Sequence, residues 1–157
     1  MIGHTRWRNL VAIALGVAAL TWWLVTALVD RGTAAPEVSW LVVGVEVLIA
    51  GVVFSMGWAV RQFLHGKRPH LDPIRAARTA VLAKAAAYTG ALLVGWYGGL
   101  LVVRLGALDV AANSARAWTA GAAAAGALTM SVVGLVVERF CRIPPAEPKT
   151  EVGPTAP

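Results

Sequence analysis

Four ionisable residues, Glu46, Lys84, Arg104 and Glu138, lie inside or at the rim of long apolar runs in this 157-residue sequence. A charged side chain at the centre of a bilayer costs about 2.5–3.5 kcal/mol on insertion scales, so each is a candidate for proton transfer, cation binding or a structural ion pair. A carboxyl removed from water favours its neutral form, which gives an unpaired Glu46 the chemistry of a proton carrier. Other reactive residue types are sparse. His65 and His70 in "HGKRPH" have no further donors at metal-ligand spacing and read as solvated loop residues. Cys141 is the single cysteine, which excludes an intrachain disulfide and a Cys-pair metal site and leaves a reduced thiol. With no Ser-His-Asp set and no phosphate-cradling glycine loop, neither an enzyme nor a cofactor is expected.

The elements that must position these residues follow from composition. Hydrophobic residues make up 58% of the chain and charged residues 14%, outside the soluble range. Leu10 to Val29 and Ala117 to Val137 carry no charge, Val38 to Val60 carries only Glu46, and Thr79 to Val103 only Lys84. At about 1.5 Å per residue each run crosses a hydrocarbon core of roughly 30 Å. The first run exceeds the core of a signal peptide, and Pro36 would follow the "TAA" cleavage site, so it is read as a permanent helix. The reading is an all-α, polytopic membrane protein, with residues 1–143 forming four transmembrane helices in an antiparallel bundle. The helices are expected at about 10–29, 38–60, 73–103 and 117–143, the last two extending into the cytoplasm. Residues 144–157, rich in proline, form a disordered tail.

The net charge of +6 is distributed as in a membrane protein, which argues against nucleic acid as a partner. Arg6 and Arg8 precede the first helix, Arg61, Lys67, Arg68, Arg75 and Arg78 cluster between the second and third, and Arg139, Arg142 and Lys149 follow the fourth. The positive-inside rule then places both termini and the middle loop in the cytoplasm. Arg61, Lys67, Arg68, Arg75 and Arg78 become candidate contacts for anionic headgroups or a partner, each basic residue contributing about 1 kcal/mol near an anionic surface. Asp72 can cap the third helix and Pro73 suits its first turn. Trp40 and Trp118 mark the outer borders, Trp7 and Trp58 the inner ones.

Depth decides which charges can meet. Counted from Thr79, Lys84 lies about 7–8 Å above the cytoplasmic boundary and can snorkel to it. Glu46 lies roughly 21 Å up the second helix. Side chains lean toward helix N-termini, so Lys84 leans down and Glu138 leans up, while Glu46 points outward toward Arg104. Two polar clasps are therefore expected, Lys84 with Glu138 and Glu46 with Arg104. A row of small residues, Ala83, Ala87, Ala91, Gly95 and Gly99, answered by Ala122, Gly126, Met130 and Gly134, predicts tight pairing of the third and fourth helices or a homodimer.

"TRWRNL", "LDPIRAARTAVLAKAAAYTGAL" and "ERFCRIPP" resemble the actinobacterial membrane proteins catalogued as domain-of-unknown-function family 3180, with Asp72, Pro73, Ala77, Arg78, Ala83, Lys84 and Ala85 the most specific matches. The resemblance implies a small four-helix inner-membrane protein, often encoded near folate-biosynthesis genes, with no agreed activity. The expected function is a non-catalytic accessory or scaffold subunit whose basic cytoplasmic face docks a membrane-protein partner or anionic lipid. The alternative is a small proton- or cation-coupled transporter using Glu46.

Overall fold

The computed structural model describes residues 6–64, 73–106 and 111–141. They form four α-helices, α1 (Trp7–Val29), α2 (Trp40–Leu64), α3 (Pro73–Leu105) and α4 (Ala111–Phe140), each long and apolar enough to cross a membrane. Lys67, Arg68, His65, His70, Asp72 and the 144–157 tail lie outside the described residues.

The helices overrun the apolar runs. α1 begins at Trp7 among the basic residues, α2 continues to Leu64 and α4 starts at Ala111, because "AANSARA" carries enough alanine to stay helical without being apolar. Hydropathy locates the span rather than the helix end. α4 stops at Phe140, short of the expected 143, with Cys141 in a turn. α1 ends in a glycine-capped turn: Thr33 N–H bonds Leu28 O at 3.0 Å and Gly32 N–H bonds Val29 O at 2.8 Å. Gly32 adopts φ +81°, a conformation that side chains resist.

α3 is the centre of the assembly. It packs on α4 and on α1, and α2 packs on α4 with a smaller contact to α3. Among the described residues, the backbones of α1 and α2 nowhere approach within 8 Å, although the two are neighbours in sequence. The expected antiparallel bundle is therefore arranged differently from a ring. Only α3 and α4 are tightly packed antiparallel partners, while α1 lies parallel to α3, with Leu10 beside Ala87 and Ala91, Ala14 beside Gly95, and Ala18 beside Gly99. α2 lies parallel to α4, with Glu46 beside Gly126 and Gly57 beside Val137.

Small residues set these distances. A Cβ on Gly90 would lie 2.6 Å from Ser131 N and 2.8 Å from Ala127 O, and one on Gly134 would lie 2.6 Å from both Ala83 O and Ala87 N. Backbone therefore meets backbone across α3 and α4, and Ser131 Oγ donates to Ala87 O at 3.0 Å within that contact. The row Ala83, Ala87, Ala91, Gly95, Gly99 does not serve one neighbour. Steps of four residues advance about 40° around a helix, so Ala83 and Ala87 face α4 whereas Gly95 and Gly99 face α1.

The core consists of small and β-branched side chains, with Val25, Val53, Leu100 and Val137 its largest fully buried members. Outside it, Leu15, Trp22, Trp23, Leu41, Leu48 and Trp118 are all at least half exposed, a surface that suggests a membrane protein. α1 and α2 bury at most half the share of their spans that α3 and α4 do.

Candidate functional site

Glu46 lies on the buried face of α2, one turn after Val42 and one turn before Ala50, six positions into the helix from Trp40. It is only 3% exposed, and neither carboxyl oxygen has a hydrogen-bond partner. The carboxyl fits there because α4 presents Gly126: a Cβ on that residue would lie 2.6 Å from Glu46 Oε2. Ala123 and Ala127, both fully buried, flank Gly126 and keep the wall flat. Tyr97 of α3 is buried and within electrostatic reach of the Glu46 carboxyl. An acid in this setting has valine, alanine and glycine around it and a single phenol near it.

The expected Glu46–Arg104 clasp does not form. Arg104 is 4% exposed, and its guanidinium donates from Nη1 to Arg116 O at 2.7 Å and from Nη2 to Pro36 O. Lean toward the helix N-terminus is only a tendency. A planar fork at the end of α3 instead satisfies two backbone carbonyls that converge there, one from the α1–α2 connection and one from the first turns of α4. Arg116 returns to the same connection, its Nη2 lying 2.6 Å from Glu37 Oε1. Pro36, Glu37, Arg104 and Arg116 thus form a latch over one end of the helices. Sequence reasoning left Glu37 and Arg116 aside; their opposite charges, one in the α1–α2 connection and one in the first turns of α4, were the available signal, whereas a carbonyl acceptor leaves none.

At the other end, Lys84 is half-buried on α3 and Glu138 half-buried on α4. The contacts of Gly90 with Ala127 and Ser131, and of Gly134 with Ala83 and Ala87, bring Glu138 level with residues 79–83, so Lys84 stands within about 7 Å of it along the axis. Each has an interaction partner. Arg61 places its guanidinium 5.5 Å from the Trp58 ring and 4.8 Å from the Phe140 ring, tying the ends of α2 and α4 together. It remains exposed, as does Arg78, so both can still reach a ligand. The side chain of Arg75 lies outside the described set. Cys141 is half-buried beside the α2–α4 contact, and burial pushes its thiol above the ordinary value. Trp22 and Trp23 point away from the core, and Trp96 is also exposed.

Compared with known proteins, residues 10–145 match a family model described as a protein of unknown function, DUF3180. No curated protein and no solved structure matches the chain.

Proposed function

For a chain that belongs to the DUF3180 family of proteins of unknown function, we propose the role of a non-catalytic accessory or scaffold subunit in the cell membrane. Both termini and the 65–72 connection lie in the cytoplasm, following the distribution of Lys and Arg. The observation that carries this reading is the packing, among the described residues, of α1 on α3 alone and of α2 chiefly on α4, which leaves two helices with broad outward apolar faces. Gly16, Gly44 and Gly51 have open space beside them, so another membrane helix can approach closely there. Lys84 and Glu138 act as a clasp at the cytoplasmic boundary, and Arg61 and Arg78 meet anionic headgroups or a partner. The test is a mild-detergent pull-down of the full chain from native membranes. A stoichiometric companion supports the reading; recovery of the chain alone, with membrane binding intact, counts against it.

Glu46 favours a second reading, a small proton- or cation-coupled transporter, because a buried carboxyl with unpartnered oxygens is costly to keep for structure alone. Proton-coupled flux into vesicles, compared between the natural chain and Glu46→Gln, separates the two. Equal flux in both rejects Glu46 as the carrier.

A further inference from the structure

The geometry points to Glu46 as a reversible proton-binding site that exchanges with water through the end of the helices closed by Arg104. This inference deepens the second reading and rests on it only for the use to which the proton is put.

The chemistry of the pocket selects the ligand. A hard metal cation needs about six or more oxygen donors. Glu46 supplies two and the Tyr97 phenol at most one more, while Val42, Val43, Ala50, Ala123 and Gly126 have no side-chain oxygen. Helix carbonyls are committed to their own hydrogen bonds. Among the described residues, no three His, Cys, Asp or Glu side chains come together as a metal set. A proton needs only the carboxyl itself, and taking it up removes the charge that the apolar walls cannot solvate.

The route follows from depth. Glu46 lies six positions from the start of α2 and sixteen from Gln62 at the other limit of its span, so the nearer water is at the Arg104 end. Along α3, Tyr97, Leu100 and Arg104 are spaced three and four residues apart on one face, with Tyr97 within electrostatic reach of Glu46 and Leu100 almost fully buried between the two polar residues. About 10 Å of helix separates Tyr97 from Arg104. Above that column, the Arg104 guanidinium bonds Pro36 and Arg116, which closes the way in. Among the described residues, the titratable and charged groups toward this route are Tyr97 and Arg104 from α3, Arg116 from α4 and Glu37 from the connection, with Asp30 and Arg31 exposed after α1; on α2 itself the next charge is Arg61, at the far end. Opening requires the carbonyl bonds of Arg104 to break. A charged Glu46 would then offer the freed guanidinium an alternative partner, so proton release and latch opening reinforce each other.

Dicyclohexylcarbodiimide, an apolar reagent that adds across a protonated carboxyl, tests this on the full chain in detergent or vesicles. The carboxyl proton passes to a reagent nitrogen, the carboxyl oxygen bonds the central carbon, and the adduct rearranges to a stable acylurea with nothing leaving. The expected result is one added reagent mass on the peptide containing Glu46, its rate falling as pH rises, and its loss in Glu46→Gln. Glu37→Gln, which loosens the latch from an exposed position, is expected to speed labelling severalfold. Absence of the adduct in a folded protein, or a rate independent of pH, overturns the site whatever the flux. An adduct that forms normally while flux is unaffected by Glu46→Gln supports the proton site and removes the transport reading.

Discussion

Ser131 Oγ donates a 3.0 Å hydrogen bond to Ala87 O in the middle of the contact where α3 and α4 bring backbone against backbone. Hydrogen bonds between membrane helices average about 0.6 kcal/mol and reach roughly 1.7. Ser131→Ala is expected to fall in that range. Gly90→Leu and Gly134→Leu are expected to be far worse, at 3 kcal/mol or more on the scale of about 1–3 for ordinary overpacking, because the obstructing atoms are backbone. Gly44→Leu, with open space around it, is the matched control. Unfolding midpoints in one detergent rank the four; a Gly134→Leu protein as stable as Gly44→Leu would refute the contact.

Arg104→Lys should behave much like Arg104→Ala. One ammonium cannot satisfy two carbonyls held by a planar fork, and a buried acceptor left without its donor costs about 1–3 kcal/mol. Hydrogen exchange over residues 33–39 should accelerate strongly in both variants and only severalfold in Glu37→Gln, whose exposed ion pair contributes at most about 1 kcal/mol. Full protection in Arg104→Lys would show that the charge alone suffices.

Glu46→Gln keeps the shape of the side chain and removes its ionisable group. Since no partner is lost, the thermal midpoint should hold or rise. A fall of several degrees would mean that the carboxyl is held by a group on which stability depends.

Cys141 gives a pH dependence outside the spans. A thiol pushed up by burial holds its proton more tightly in the folded chain than in the unfolded one. Its contribution to stability is therefore complete below the ordinary thiol range and is lost as pH rises through the folded value. Alkylation of the native protein should be slower than that of the denatured protein near neutral pH, with the gap closing as pH climbs. Equal rates at neutral pH would contradict the burial.

Hydropathy and charge made the four helices legible, and Pro73 marked where α3 begins, because length, apolarity and a missing N–H are properties of single segments. The close pairing of α3 and α4 was legible in Gly134 and Ala83 for the same reason. The side-by-side order of the helices was not. Gly95 and Gly99 carry the same small-residue signature as Ala83, and only the rotation of the helix decides that they face α1. Depth counting brought Glu46 and Arg104 to one end of the molecule. It could not show that Arg104 would choose Pro36 O and Arg116 O, since every residue carries a carbonyl and none advertises that it is free.

The separation of α1 from α2 gives the protein an unusual order of assembly. The two outlying helices are made first, and among the described residues their backbones make no close contact. Each is then expected to stay undocked until the second hairpin emerges as the surface on which both pack. Mutations that slow or unseat that late hairpin should therefore leave the early helices exposed to quality-control proteolysis, although the fault lies in residues made after them.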